Sequence, residues 1–263
     1  MEYETLLYEV VDSVALIRLN RPERMNAIGG NMKADLSHAL FEQARGDEAI
    51  RCVVITGAGD KAFCAGADIK ERAGKSIPQA QYHLQQKATH DLFRAIEQFE
   101  KPVIAAINGV ALGGGLEIAL CCDVRIAASS AKLGLPEARI GVLPAAGGTQ
   151  RLPRLVGQGV AKELMLTGDH IDAERALAIG LVNQVVSSAD LLPTALAMAD
   201  RMAANAPLAL RYIKHAIDVG LQVGVDAGLE YERYAAALVV SSEDRKEGML
   251  AFVEKRKPVF RGR

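Results

Sequence analysis

The amino-acid sequence predicts an α/β fold followed by a helical C-terminal region, and three observations lead to this prediction. Short continuous apolar runs, such as Cys52–Thr56, have the length of strands and end at glycine-rich loops. Between them lie stretches with apolar residues at helical spacing, such as Asn31–Ala44. After about Leu191 the helical patterns continue, but no comparable strand candidate remains. Because continuous apolar strands are covered on both faces, their alternation with helices indicates an α/β architecture.

The predicted strands are short and apolar. Val14–Leu19 is rich in β-branched residues and ends at Asn20, Arg21 and Pro22, a sequence typical of a turn. The other strand candidates are runs of four or five residues, and the continuous apolar runs among them favour strands buried on both faces: Cys52–Thr56, Val103–Ile107, Val124–Ala127 and Val182–Val186.

The predicted helices of the core are amphipathic. Asn31–Ala44 and Ala88–Phe99 both repeat apolar residues every three or four positions, with charged residues elsewhere. Asp172 is a predicted N-cap of a further helix, because a short acidic side chain accepts hydrogen bonds from the first helical N–H groups. That helix is expected to end at Gly180, the residue type preferred after a helix C-terminus.

The C-terminal part is predicted to contain helices alone: Leu192–Asn205, Pro207–Val219 and Asp226–Val239. We therefore expect residues 1–199 to form the α/β core and residues 200–263 to form a helical region that serves association between copies of the chain. The alternative is that these helices only cover the core.

Composition excludes several classes of protein. The 263 residues are 50% apolar and 24% charged, with a formal net charge of −1, whereas proteins that bind nucleic acid or anionic membranes carry a basic excess. The four cysteines lack metal-type spacing, so neither a disulfide scaffold nor a zinc module is expected. Residues 1–12 hold four acids and no base, which predicts no targeting segment and a cytoplasmic protein.

The most apolar segment, Pro102–Cys122, is not predicted to span a membrane. It is interrupted by Asn108-Gly109, by three consecutive glycines and by Glu117. A spanning helix needs about 20 apolar residues with a satisfied backbone. The segment is better explained as a buried strand, a tight loop and a buried helix.

The loop of this segment carries the first candidate chemistry. Gly113, Gly114 and Gly115 lead into a predicted helix, where uncovered N–H groups could hold a phosphate or an oxyanion, although close helix–strand packing also explains the glycines. Glu117 follows within an apolar run, and a carboxylate is almost never buried without a partner or a function. Stabilisation of the helix N-terminus is the structural alternative for Glu117.

Two further segments complete the set of candidates. Glu137 emerges from a turn at Gly134 and Pro136, and a second glycine-rich segment follows it, so two carboxylates lie beside glycine-rich helix starts. Such a pair is suited to acid/base catalysis near a developing oxyanion. The small residues of Phe63–Lys70 allow a ligand to approach the backbone, and Asp68 could simply cap the following helix.

Taken together, these segments resemble the crotonase superfamily and, within it, the enoyl-CoA hydratases. The resemblance covers nearly the whole chain through six segments in order: Asn20–Pro22 with Asn26-Ala27, Phe63–Lys70, Asn108–Glu117, Gly134–Glu137, Pro144–Arg151 and Glu247–Lys257. It implies a spiral of ββα units with a helical C-terminal region that builds trimers, usually paired into hexamers. One departure is Ala145, which stands where the hydratases commonly carry glycine.

The resemblance also implies the site. The backbone N–H groups of Ala67 and Gly114 would form the oxyanion hole, and Glu117 and Glu137 match both catalytic glutamates of the hydratases. We expect Glu117 to deprotonate water and Glu137 to protonate Cα of a trans-2-enoyl thioester, while the reverse sharing of roles stays open. Members that only isomerise usually lack one glutamate of the pair, so the presence of both favours hydration.

The implied ligand is an acyl-CoA. Coenzyme A is part of the substrate, and neither a cofactor nor a metal is expected. A Phe252 ring against the adenine and a Lys255 ammonium near a phosphate are expected at the C-terminal end, because a ring face and a cation suit a nucleotide. The residues implied to bind substrate are Ala27, Ala65, Ala67, Asp68, Ile69, Lys70, Gly114, Phe252 and Lys255.

Two segments, Phe63–Ala73 and Asp123–Lys132, look like the methylglutaconyl-CoA hydratases, a branch with AU-rich RNA-binding members. A substrate of leucine breakdown is therefore an alternative, and RNA binding is a hypothesis of another class. RNA binding in that branch depends on a lysine-rich helix. The equivalent stretch here, Asn31–Gly46, holds two Lys or Arg residues against two acids, so no nucleic-acid partner is expected.

Overall fold

Two sheets form the core of the computed structural model, which describes residues 3–263. The larger sheet has six strands in the order β1-β2-β3-β5-β7-β10, and the smaller has four in the order β4-β6-β8-β9. Pairing is parallel except between β1 and β2 and between β8 and β9. The strands are β1 Leu6–Val11, β2 Val14–Leu19, β3 Cys52–Gly57, β4 Ala62–Cys64, β5 Val103–Ile107, β6 Val110–Leu112, β7 Val124–Ala128, β8 Lys132–Gly134, β9 Ile171–Asp172 and β10 Gln184–Val186.

The helices lie between these strands and after them. The first helix continues directly as a π-helix over Ala39–Ala44, and short 3₁₀ helices span Pro22–Arg24 and Glu137–Ile140. The α-helices are α1 Met32–His38, α2 Ile69–Arg72, α3 Gln79–Glu97, α4 Gly114–Leu120, α5 Gly148–Val156, α6 Gln158–Thr167, α7 Ala173–Ala178, α8 Leu191–Ala203, α9 Pro207–Gly220, α10 Val225–Val240 and α11 Glu243–Val253.

A ββα unit repeats three times. In each unit a long buried strand of the large sheet is followed by a three-residue strand of the small sheet and then by a helix. The pairs are β3 with β4, β5 with β6, and β7 with β8. This repetition confirms the predicted α/β architecture of ββα units with a helical C-terminal region.

The core has two layers, one on each face of the large sheet. One contains the aromatic side chains of Phe63, Phe93 and Phe99, all fully buried. The other packs the opposite side chains of the sheet against α8, through residues that include Ala195 and Ala199. Burial on both faces explains why the strands β3 and β5 read as continuous apolar runs.

The predicted elements agree with the structure apart from their limits and the shortest strands. The helix predicted over Ala88–Phe99 is longer at its start and runs from Gln79 to Glu97. Asp172 caps α7 as expected, since its carboxylate accepts the N–H of Arg175 at 2.8 Å. The prediction missed β1 and the helices α6 and α11. It also missed the strands of the small sheet, which are too short to show a period.

The C-terminal helices divide into two kinds. Helix α8 packs on the large sheet, and the predicted boundary between residues 199 and 200 falls inside it; the division into two regions stays a prediction. Helix α9 has no fully buried residue and is joined to the core by Lys214, whose Nζ lies 2.9 Å from Oδ2 of Asp123. Within residues 3–263, no helix has the length and apolar character required to cross a bilayer.

The alanines of α8 generate a prediction about stability. Ala195 is fully buried against the sheet, so Ala195→Leu should lower the free energy of unfolding by about 1–3 kcal/mol through overpacking. Urea denaturation measures the change. Ala197→Leu, on the exposed side of the same helix, is the matched control and should change stability little. Equal effects of both substitutions would contradict the packing of α8 on the sheet.

Candidate active site

Three loops meet at one edge of the small sheet. Strands β4, β6 and β8 are adjacent and parallel, so their carboxyl ends lie side by side. The residues that follow these ends are Gly66-Ala67, Gly113-Gly114 and Glu137. The topology therefore brings together three segments that the sequence places far apart.

The loops after β4 and β6 approach each other too closely for side chains. A Cβ atom on Gly66 would lie 2.8 Å from the carbonyl oxygen of Leu112 and 3.3 Å from the nitrogen of Gly114, and Gly66 has a φ of +93°. A Cβ atom on Gly114 would lie 2.9 Å from Cδ1 of Ile28 and 3.8 Å from the nitrogen of Ala67. Glycine at position 66 is what allows these backbones to touch, and glycine at position 114 leaves room for the side chain of Ile28.

Two N–H groups at this contact are free. The carbonyl of Gly66 accepts the N–H of Ile28 at 2.7 Å, and the N–H of Asp68 donates to the carbonyl of Ile28 at 3.0 Å, which fixes the backbone on both sides of Ala67. Gly114 is the first residue of α4, whose first N–H groups have no acceptor within the helix. Within residues 3–263, neither Ala67 nor Gly114 donates its N–H to a protein acceptor. Two fixed, free donors suit an oxygen that gains negative charge.

Glu117 is a buried carboxylate on α4, 3% exposed. Its Oε1 accepts the N–H of Ala146 at 2.7 Å and the N–H of Gly148 at 2.8 Å. Burial raises the pKa of Glu117, and the two hydrogen bonds, with the charges of Arg151 and His90, oppose that rise. The glycine-rich segment before α5 therefore serves to hold this carboxylate in its buried position.

Glu137 begins the 3₁₀ helix that follows β8 and lies over the glycine loop of α4. A Cβ atom on Gly113 would lie 2.9 Å from its Oε1, while its Oε2 is buried and has no hydrogen-bond partner within residues 3–263. Burial raises the pKa of Glu137 to about 7, and the charge of Glu117 adds to the rise. Glu137 thus carries its proton up to neutral pH, whereas two N–H donors favour the ionised form of Glu117.

The segment Ala65–Lys70 lines the outer side of the contact. Asp68 caps α2, accepting the N–H groups of Lys70 at 3.1 Å and Glu71 at 3.3 Å, and its Oδ2 lies 3.1 Å from Nη2 of Arg21. The capping role considered from sequence is therefore present in the structure. Ile69 and Lys70 are exposed, and they leave the start of α2 open to a ligand.

Hydrogen bonds to Met25 and Arg21 hold the remaining N-terminal candidates, Ala65 and Ala27. The N–H of Ala65 donates to the carbonyl of Met25 at 3.0 Å, and the carbonyl of Ala27 accepts from Nη1 of Arg21 at 3.0 Å. Phe252 and Lys255 lie elsewhere, at the exposed end of α11. Within residues 3–263, no hydrogen bond or ion pair joins these two to Ala65–Lys70, so their predicted contact with a nucleotide stays a prediction.

The Cys64 thiol, at the end of β4, is not activated as a nucleophile. Burial raises the pKa of the Cys64 thiol to about 12, so it is protonated at neutral pH and unsuited to nucleophilic attack. Among residues 3–263, no three His, Cys, Asp or Glu side chains are grouped to hold a metal ion. Three side chains that contact the loop holding Glu117 had no role predicted from the sequence: Gln86, His90 and Arg151, the last of which ends the segment Pro144–Arg151.

Comparison with known proteins identifies the family. The sequence pattern of the enoyl-CoA hydratase/isomerase family matches residues 9–263. The chain belongs to the enoyl-CoA hydratase/isomerase family. Among its relatives, a crotonyl-CoA hydratase of Syntrophomonas wolfei is 46% identical over 262 residues, which cover 99% of each chain. A short-chain-enoyl-CoA hydratase of Clostridium acetobutylicum is 43% identical, covering 98% of this chain and 97% of the relative.

Solved structures of the family share the fold. An enoyl-CoA hydratase from Bacillus anthracis superposes with a TM-score of 0.94 at 44% identity, covering 99% of this chain and all of that one. A second, from Geobacillus kaustophilus, superposes with a TM-score of 0.92 at 41% identity and full coverage of both chains. These comparisons confirm three predictions: that the chain is a member of the crotonase superfamily, that it has the fold of that superfamily, and that it is an enzyme.

The environment of Glu137 predicts a pH-dependent stability. Its pKa is about 7 in the folded chain against an ordinary 4.5, so between these values the native state binds more protons than the unfolded state. Stability is therefore lost as pH rises from about 4.5 through 7. The amide of Glu137→Gln does not titrate in this range. The free energy of unfolding of the variant minus that of the wild type should therefore increase by about 1–2 kcal/mol from pH 5 to pH 8.

Urea denaturation at the two pH values checks this prediction. Glu163→Gln, an exposed glutamate on α6, is the matched control and should give the same difference at both. If Glu137→Gln also gave the same difference at both pH values, the buried and unpartnered state of its carboxyl would be wrong.

Proposed function

We propose that the protein hydrates trans-2-enoyl-CoA thioesters to 3-hydroxyacyl-CoA. The observation that carries the proposal is the placement of two carboxyls in unlike environments. Glu117 accepts two N–H donors, whereas Oε2 of Glu137 has no partner within residues 3–263, and both lie beside the N–H groups of Ala67 and Gly114, which donate to no acceptor among the same residues. Carboxyls whose environments push their pKa values apart are suited to separate acid and base roles. Hydratase names among relatives of up to 46% identity support the same reaction.

In the proposed mechanism the thioester oxygen binds between the N–H groups of Ala67 and Gly114. Addition of water at Cβ moves electron density from the double bond onto this oxygen, which then carries enolate charge. Donors fixed before the reaction stabilise that charge without reorganisation, and the loss of one such donor costs about 2.7–4 kcal/mol in comparable sites. The rigid contact between the two glycine loops supplies this fixed geometry.

The two glutamates move the protons. Glu117 takes a proton from the water as its oxygen bonds to Cβ, and Glu137 gives its proton to Cα as the enolate collapses. Each role contributes about 10²–10⁴-fold to rate in comparable enzymes. One proton then passes from Glu117 back to Glu137, which restores the starting state, so the net change is addition of one water molecule. No cofactor takes part in this proposal, since coenzyme A belongs to the substrate.

The acyl group is proposed to be short, on the basis of the crotonyl-CoA and short-chain relatives. The 2,3-dehydroadipyl-CoA hydratase of Escherichia coli is 42% identical over 95% of this chain, so related sequences act on acidic acyl groups as well. The resemblance of Phe63–Ala73 to methylglutaconyl-CoA hydratases makes that branched substrate the second candidate. The ratio of kcat/KM for crotonyl-, longer straight-chain and methylglutaconyl-CoA decides between them.

The proposed assembly is a trimer or a dimer of trimers. Helices α9 and α10 pack against each other and leave large apolar side chains exposed on the isolated chain, among them Ile213, Ile217, Leu229, Tyr234 and Leu238. Apolar surface of this extent favours burial against another protein surface. The helical C-terminal region, which has no role in the two-sheet core beyond α8, suits contact with further copies of the chain.

The two-glutamate mechanism predicts the behaviour of isosteric variants. Glu117→Gln and Glu137→Gln should each lower kcat for crotonyl-CoA hydration by about 10²–10⁴-fold, because an amide can neither accept nor deliver the required proton. Loss of the enoyl thioester absorbance measures turnover, and circular dichroism checks the fold. Glu163→Gln is the matched control. Near-normal turnover in either active-site variant would sink the mechanism.

The proposed nucleotide contact predicts a separation of KM from kcat. Lys255→Ala should raise KM for acyl-CoA more than it lowers kcat, because a phosphate contact is the same in ground and transition states. The penalty should shrink at high salt and vanish with an acyl-pantetheine substrate that lacks the nucleotide. Lys246→Ala, an exposed lysine on the preceding helix α11, is the control. An equal penalty with acyl-pantetheine would rule the contact out.

A further inference from the structure

The loop that holds Glu117 is itself held by side chains from two helices. The carbonyl of Ala145 accepts hydrogen bonds from Nε2 of Gln86 and from Nε2 of His90, which lie one turn apart on α3. On the other side of the same peptide group, the N–H of Ala146 donates to Oε1 of Glu117 at 2.7 Å. Helix α3 is thus connected to the carboxylate through a single peptide unit.

A second set of contacts holds the next residue of the loop. Nη1 of Arg151 donates to the carbonyl of Ala146 at 3.1 Å. Nε and Nη2 of Arg151 bind the two carboxylate oxygens of Glu97, the last residue of α3, at 3.0 and 2.8 Å. Two successive carbonyls of the loop are therefore tied to α3. We call the four side chains of these contacts the carbonyl clamp: Gln86, His90, Glu97 and Arg151.

The geometry of a peptide explains what the clamp does. A trans peptide is planar, with its oxygen and its N–H on opposite sides, so a fixed oxygen fixes the direction of the N–H. Donors at the carbonyl of Ala145 also polarise the peptide and strengthen the hydrogen bond that its N–H gives to Glu117. Gly147, with a φ of +110°, turns the chain so that the N–H of Gly148 reaches the same Oε1 at 2.8 Å.

We propose that Gln86, His90 and Arg151 are positioning residues, which hold the peptides of the Ala145–Gly148 loop so that two N–H groups stay on the carboxylate of Glu117. This inference rests on the proposed function of Glu117 as the group that takes the proton from water. The clamp residues touch neither water nor substrate in this proposal and act through the loop alone.

The clamp has a consequence for pH dependence. Burial raises the pKa of Glu117, and the N–H groups of Gly148 and Ala146 oppose this rise, so a loosened loop lets the pKa rise further. Glu117 must be ionised to act as a base. With a higher pKa of Glu117, the loss of activity toward acidic pH would begin at a higher pH. The titratable and charged groups that face Glu117 are His90 on α3, Arg151 on α5, Glu137 on the 3₁₀ helix and Cys121 on α4, and Glu97 is paired with Arg151 behind them.

Gln86→Leu is the sharpest test, because it removes a donor without changing any charge. The side chain is half-buried on the outer part of α3, so the variant is expected to fold. It should lower kcat for crotonyl-CoA about 10- to 100-fold, the usual cost of a misplaced catalytic group, and change KM less than about twofold. The acidic limb of the kcat/KM profile should move to higher pH. Gln85→Leu is the control, because this neighbouring position is exposed and its side chain makes no hydrogen bond in the described residues. It should leave kcat, KM and the acidic limb unchanged.

Two His90 variants separate hydrogen bonding from charge. His90→Gln keeps a donor for the carbonyl of Ala145, whereas His90→Ala does not. The proposal expects His90→Gln to retain most of kcat and His90→Ala to lose it. If both variants lost activity equally, His90 would act through its charge on Glu117 rather than through the loop, and its place in the clamp would be refuted.

A double-mutant cycle with Glu117→Gln isolates the route of the effect. Because the clamp acts only through Glu117, Gln86→Leu should have no further effect on kcat in the Glu117→Gln background. An additive loss of kcat in the double mutant would overturn the proposal. The proposal would also be overturned if both Gln86→Leu and His90→Ala kept the wild-type kcat and an unmoved acidic limb of the pH profile. The proposed function fails by a different result, near-normal activity of Glu117→Gln itself.

Discussion

The contact between the loops after β4 and β6 is the constraint on which the site depends. A Cβ atom on Gly66 would collide with the backbone of Leu112, 2.8 Å from its carbonyl oxygen, and a Cβ atom on Gly114 would lie 2.9 Å from the side-chain Cδ1 of Ile28. Because the backbones can touch, the N–H groups of residues 67 and 114 lie on neighbouring loops, and neither has an acceptor in the part of the chain that the structure describes. The parallel pairing of the three-residue strands holds these loops in register.

The electrostatics of the site depend on the burial and the hydrogen bonds of its two carboxyls. Glu117 is buried, but two backbone N–H groups favour its charge, and Glu137 is partly buried without a donor for Oε2 within the described residues. Burial raises both pKa values, but the N–H groups of Gly148 and Ala146 oppose the rise at Glu117, whereas the charge of Glu117 adds to the rise at Glu137. The proposed division of labour between base and acid needs this difference, and the carbonyl clamp is proposed to preserve it.

Some elements were readable from the sequence because their own residues specify them. β3 and β5 are continuous apolar runs, since both faces of the large sheet are covered, and α9 and α10 repeat apolar residues at helical spacing. Strands β4, β6 and β8 were missed because three residues cannot display a period. Their extended conformation comes from pairing with one another, which is a tertiary contact.

The sequence by itself determined the strand and helix alternation, the buried acid at position 117, the glycine loops and, through its motifs, the family. It could not determine which loops meet, because contact between residues 67, 114 and 137 depends on the strand order of the small sheet. Nor could it reveal Gln86 and His90, whose ordinary polar positions on α3 acquire significance only when the carbonyl of Ala145 lies against them. Local patterns report burial and backbone conformation, whereas the direction of a hydrogen bond between distant segments exists only in the folded chain.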